Sequence, residues 1–246
     1  MNAIVKEDEA IGKQALEFWI TLSEKELSIL EEIEETGAEI KNYEFVQKAM
    51  QNVMPVILES LTKQDEDPEN EEATIATQAG TLLRSISNLV KEKILPLVFP
   101  FINKFINDND WRKWEAATFA FGAILEGPDT SHLTQLISQA FPLLMKHMKD
   151  KEQLVKDTAA WTIATICEIH PILAKSQLQN LMHVLVDSLN EPPKVASQVC
   201  FALHNLAQTF FNESENQSSP ISYYFQPVIT KLLEMTKRFF FNFKFL

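Results

Sequence analysis

Residues 154–168 read LVKDTAAWTIATICE, and residues 112–126, an offset of 42, read RKWEAATFAFGAILE. At that offset Asp157 falls on Glu115, Ala159 on Ala117, Trp161 on Phe119, Ile166 on Ile124 and Glu168 on Glu126. PKVASQVCFALHNLAQ (193–208) repeats the pattern at an offset of 40, where Val155, Ala159, Trp161 and Ile166 meet Val195, Val199, Phe201 and Leu206. A weaker copy is TIATQAGTLLRSISNLV (74–90). The apolar spacing in these copies has the 3.6-residue period of a helix, not the alternation of a strand.

A second apolar helix precedes each copy: MPVILESLTK (54–63), LPLVFPFINKFI (95–106), FPLLMKHMKD (141–150) and NLMHVLVDSLN (180–190). QPVITKLLEMTK (226–237) opens a further unit. Breaks such as Asn107-Asp108-Asn109-Asp110 and Asn190-Glu191-Pro192-Pro193 separate the helices within units, and Gly127-Pro128 and Pro171 separate units. Two helices with a period of about 40–47 residues define HEAT and armadillo arrays, in which each unit buries its apolar face on its neighbours.

The expected fold class is therefore all-α: a HEAT-repeat α-solenoid, a right-handed superhelical stack of antiparallel helix pairs. It covers residues 1–238 with about four to five repeats, the first and last incomplete. Outer helices are expected to begin near Pro55, Pro96, Pro142 and Asn180, and inner helices to occupy 74–90, 111–126, 154–169 and 194–209. LSILEEIEETGAEIKNYE (27–44) reads as an extended helix followed by a turn at Gly37. The aromatic tail FFFNFKFL (239–246) does not fit the pattern and is given no function.

Charge sharpens the picture. The formal net charge is −12, and residues 1–80 hold 19 acids against six Lys and Arg, so the excess acidity lies in the first third. Such a balance argues against nucleic acid as a partner and favours basic proteins or peptides. The start MNAIVKEDEA lacks a signal-peptide core, and the longest apolar stretch (94–106) is broken by Pro96, Pro100 and Lys104. No signal peptide and no membrane partner are expected, and the compartment is cytoplasm and nucleus. Cys167 and Cys200 lie in apolar helical patterns and form no disulfide framework.

Catalytic constellations are not found: there is no phosphate-binding glycine loop, GxSxG, HExxH or CxxC. His132, His147, His170, His183 and His204 are scattered and read as structural or surface residues. No enzyme activity, metal or cofactor is expected. The repeat supplies a different site. On a helix advancing 100° per residue, Val155, Ala159, Ile163 and Ile166 form one stripe, and Asp157, Trp161 and Glu168 form another on the opposite side. The 112–126 copy carries Glu115, Phe119 and Glu126 in the same places, and the 193–208 copy a muted Ser197, Phe201 and Gln208. Acid, aromatic, acid on the face away from the core suits a basic helix, whose Lys and Arg stems lie on rings while their heads meet carboxylates. The plainer alternative is that Trp161 and Phe119 pack between neighbouring helices and the acids are solvated.

At this point the sequence resembles the importin-β family. DWRKWEAATFAFGAILEGPD (110–129), FPLLMKHMKDKEQLVKDTAAWTIATICEIHP (141–171), EFW (17–19), LTKQDED (61–67) and VASQVCFAL (195–203) carry the resemblance, which runs through most of residues 10–235. It implies a receptor segment that binds the basic segment of an importin-α-type adaptor, or basic cargo, on a concave face. It further implies release by the Ran GTPase in its GTP form and Phe-Gly nucleoporins on the outer face. Trp161 matches a family tryptophan that packs on the adaptor helix, and Asp157 an acid of the same surface. Residues 61–72 match the acidic loop that touches Ran, giving Asp65, Glu66, Asp67, Glu69, Glu71 and Glu72 as its contact residues. Phe201 stands where the family commonly has a second tryptophan, Gln198 replaces an Asn, and the acidic loop is shorter and lacks its closing Trp. The family proteins are several times longer, which implies a fragment. A generic HEAT scaffold for complex assembly is the competing reading, since fold alone does not exclude it.

Overall fold

The computed structural model describes residues 9–64, 73–212 and 221–242. All regular structure among them is helical. The chain forms two compact units, residues 1–133 and 134–246. The first contains α1 (Glu9–Thr36), α2 (Phe45–Ser60), α3 (Ile75–Val90), a 3-10 turn (Lys91–Ile94), α4 (Leu95–Phe105) and α5 (Trp111–Ala123). Helix α6 (Thr130–His147) runs from the first unit's last residues into the second. The second continues with α7 (Gln153–Ile169), α8 (Pro171–Ala174), a 3-10 turn (Lys175–Gln177), α9 (Leu178–Ser188), α10 (Pro193–Asn212), another 3-10 turn (Ser222–Tyr224) and α11 (Phe225–Asn242). This is the expected all-α HEAT-repeat architecture of helix pairs.

In the first unit α3 packs on both α1 and α5, making one row, while α2 packs on α4, making another. The rows meet where α3 covers α2 and α5 covers α4. In the second unit α7 and α10 share the most extensive contact, α9 packs on α10, and α11 packs on α9. The inner helices begin within one residue of their expected starts. The outer helices α2 and α6 begin earlier than Pro55 and Pro142, which sit inside them, as Pro100 does inside α4. Helix α11 extends through Asn242, into the aromatic tail.

The core follows the periodicity. Leu82, Leu83 and Ile86 of α3 are fully buried, as are Ala159, Ile163 and Ile166 of α7. On α6 the buried line is Leu133, Ile137, Phe141 and Leu144, the spacing of one helical stripe, and Met148 continues it just past the helix end. Local signals set the helix ends. Thr74 and Thr77 exchange side-chain to backbone hydrogen bonds and start α3 with a capping box. Asp110 accepts from the Arg112 N–H to start α5. Gly37, at φ +66°, takes the left-handed conformation that stops α1.

Glu26 of α1 is a charged residue at only 4% exposure. Its carboxylate accepts the N–H of Phe45 at 2.5 Å and of Val46 at 3.3 Å, so α1 caps the start of α2. Glu26→Ala leaves those two donors without their acceptor inside the protein and should cost about 2 kcal/mol. A urea titration checks this, and a midpoint equal to wild type would refute the capping role. Glu26→Gln, which keeps an acceptor oxygen, should lose less.

Candidate functional site

Helices α7 and α10 bring together the second unit's share of the expected residues. Asp157, Trp161 and Glu168 lie on α7, and Phe201 occupies the matching position of α10, which packs along it. Asp157 and Trp161 are half-buried, and Glu168 is exposed. On α10 Ser197, Phe201 and Gln208 are all exposed, Phe201 by 42%. An aromatic of that exposure, on a helix packed along the one that carries a half-buried indole, offers a surface for an apolar stem.

The Asp157 carboxylate on α7 is poorly solvated. Burial pushes the Asp157 carboxyl above the usual aspartate range, opposed by the Gln153 amide, which donates at 2.8 Å, and by the charges of Lys194 and Lys156. Lys156 is itself paired with Glu191 at the start of the α10 corner. A carboxylate in this setting is stabilised by any cation that reaches it.

The first unit treats its three residues differently. Glu115 is 4% exposed, and its Oε2 accepts from Gln64 Nε2 at 2.5 Å, while the same amide donates to the Arg112 carbonyl at 2.7 Å. The expectation that Glu115 points to an open face is corrected: its side chain faces the Gln64 segment. Phe119 is half-buried, its ring end packed over Gly80 of α3, where an added Cβ would stand 2.2 Å from the ring. Glu126 is exposed, and Arg84 Nε donates to it at 2.6 Å. Arg84 and an Asn88 hydrogen bond lower its pKa overall, although burial, the largest single influence, raises it. The acidic residues Asp65, Glu66, Asp67, Glu69, Glu71 and Glu72 lie outside the described residues.

Two further features were not singled out from the sequence. Between α2 and α4 lies an apolar cavity of about 580 Å³, lined by Met54, Pro55, Leu58, Leu97, Pro100 and Phe101, with Lys104, Arg112 and Lys113 at its edge. Two proline-bearing apolar helices in successive repeats were its only sequence signal. Glu92, Asp129 and His132 bring ligand-type atoms within 4.8 Å of one another. There the Glu92 carboxylate accepts the Asp129 N–H at 3.0 Å, a bond that lowers its pKa, at the start of α6. The positive field of that helix end opposes a cation, so the cluster works as a cap. Cys167 is fully buried, its thiol pushed up to about 12 by burial; Cys200 is partly buried and also raised.

Comparison with known proteins gives a consistent picture. A family model described as "Importin subunit beta-1-like, TPR repeats" matches residues 180–242, and a "HEAT-like repeat" model matches 111–166. Importin subunit beta-1 of Arabidopsis thaliana is 37% identical over 96% of the chain and 28% of the relative. That of Schizosaccharomyces pombe is 33% identical over 93% of the chain and 27% of the relative. The solved structure of yeast importin-beta (Kap95p) superposes with a TM-score of 0.87 at 28% identity, over 95% of this chain and 27% of that one. A structure of Kap95p with RanGDP gives 0.84 at 29% identity, over 93% and 27%. The Kap95:Nup1 complex gives 0.85 at 28% identity, over 93% and 26%. The chain spans little more than a quarter of the length of the curated relatives it matches.

Proposed function

The chain belongs to the importin-β family, and on that premise we propose that the α7–α10 surface binds a basic helix of an adaptor or cargo during nuclear import. The observation that carries the proposal is that α10, with its exposed Phe201, packs along α7, which holds the half-buried Trp161 and the poorly solvated Asp157 carboxylate. Lys and Arg stems would cover the rings, and a cationic head near Asp157 would replace solvent that burial has removed. Glu168 extends the acidic edge. Glu115 and Glu126 contribute less, because Gln64 and Arg84 already engage them.

Release by Ran-GTP, with residues 65–72 as an acidic contact, belongs to the same proposal, supported by the Kap95p structure with RanGDP. Shuttling between cytoplasm and nucleus follows from it. The α2–α4 cavity would take a phenylalanine of a Phe-Gly nucleoporin, a role supported by its apolar lining and by the Kap95:Nup1 complex.

A titration tests these roles. A synthetic Arg- and Lys-rich helical peptide is titrated into wild type, Trp161→Ala and Asp157→Lys at two salt concentrations. Trp161→Ala should weaken binding about 5- to 30-fold, or about 1–2 kcal/mol, with helicity kept. Asp157→Lys should weaken it further and flatten its salt dependence. Unchanged affinity in folded Trp161→Ala would reduce the aromatic pair to packing. In a second arm, a Phe-Gly peptide whose binding ignores Phe101→Ala removes the cavity role. In a third, Ran-GTP that leaves the basic peptide bound removes the release step.

A further inference from the structure

The repeat position of Glu126 recurs every 42 residues, as Arg84, Glu126 and Glu168. At the same offset Glu115 falls on Ala73 and Phe119 on Thr77. The repeat that contains α3 has therefore lost the first acid and the aromatic, and at the last position its charge is reversed.

Within the first unit the reversed charge meets the acid of the following repeat. Arg84 lies on α3 and Glu126 three residues past the end of α5, and Arg84 Nε donates to Glu126 Oε2 at 2.6 Å. The pair is open to solvent, its side chains 45% and 38% exposed. Asn88, one turn further along α3, also hydrogen-bonds Glu126, and the charge of Lys91 acts on it as well. Glu126 thus receives from its own chain the donors and the positive charge that a basic partner would bring. Glu168, at the same position of α7, is exposed and has no ion pair among the described residues.

Resting on the basic-helix reading above, we propose that Arg84 is a specificity-determining residue, a resident stand-in for a partner's arginine that keeps basic side chains off Glu126. A partner cation has to displace Arg84 before it reaches this carboxylate, so its gain is only the difference between two similar ion pairs. The half-buried Phe119 ring and Glu126 would otherwise offer a basic helix the combination that Trp161 and Glu168 offer on α7. An exposed pair is worth little, so Arg84 sets a selectivity of a few-fold, not an absolute block.

The synthetic Arg- and Lys-rich helical peptide is titrated into wild type, Arg84→Gln, Glu126→Gln and the double variant, all exposed changes whose helicity is checked by circular dichroism. Arg84→Gln should tighten binding about 2- to 5-fold, a gain that shrinks as salt is raised. Glu126→Gln should change the affinity of wild type by less than about twofold, yet remove the whole gain when added to Arg84→Gln. That non-additivity is the signature of displacement, because a general effect of net charge would make Glu126→Gln weaken binding equally in both backgrounds. Equal effects in both backgrounds overturn the proposal, as does an Arg84→Gln protein that binds no tighter than wild type. Trp161→Ala in the same titration reports separately on the α7–α10 surface. If it binds as wild type does while Arg84→Gln still gains through Glu126, the α7–α10 role falls and the role of Arg84 stands.

Discussion

Gly127→Ala should destabilise the unit spanning residues 1–133 by about 3 kcal/mol, one of the two largest effects expected of a small change in this chain. Gly127 is buried, and a Cβ placed on it would lie 2.1 Å from the Ser87 carbonyl oxygen and 2.4 Å from the carbonyl carbon. Those atoms belong to the backbone of α3, which is fixed by its helical hydrogen bonds, and the Ser87 hydroxyl is already bonded to the Ile124 carbonyl at 3.3 Å. Relief requires moving a helix, so the cost sits at the upper end for overpacking. Gly80→Ala makes the contrast: its Cβ meets only the ring end of Phe119, which can swing away. That change should cost less while displacing Phe119. Thermal unfolding should place Gly127→Ala roughly 10 °C below wild type. A shift no larger than that of Gly80→Ala would show that the α3 backbone yields easily.

The second large effect comes from acid. His147 is 5% exposed at the end of α6, and burial holds its pKa at about 4 against an ordinary 6.5, with the nearby Asp150 pulling the other way and Lys146 adding to the depression. The folded protein therefore keeps a neutral imidazole where the unfolded chain binds a proton. Stability is fully present above pH 6.5 and is lost as pH falls toward 4, because in that window the unfolded state carries more protons. The span corresponds to about 3 kcal/mol. Carboxylates also respond to acid, so the measurement is a difference: unfolding of wild type and His147→Leu compared at pH 7 and pH 4.5. His147→Leu should gain relative to wild type at the lower pH. A difference independent of pH would mean that the imidazole is protonated within the fold.

The helix pairs were readable because a repeat states its core stripe several times. Val155, Ala159, Ile163 and Ile166 define a helix face alone, and recurrence at 195–206 fixes it. Starts of first helices were less readable. Pro55 and Pro142 resembled starting signals, yet packing keeps α2 and α6 helical on both sides of them, against the local cost of an interior proline. At the site, periodicity placed Asp157, Trp161 and Phe201 on faces that are partly or fully open. It misplaced Glu115, because its partner Gln64 lies 51 residues earlier and a helical wheel knows nothing of it. The same limit hid the Arg84 bond to Glu126, across 42 residues.

The unlike settings of the two cysteines turn the protein into its own labelling reagent. Cys167 has neither access nor thiolate at neutral pH, whereas Cys200, although burial raises its thiol as well, is partly accessible and adjoins Phe201 in sequence. A thiol-reactive dye will therefore mark a single position on α10 without any engineered mutation. Its emission will report the filling of the neighbouring surface in real time, and the labelling rate will measure how far that surface is occluded.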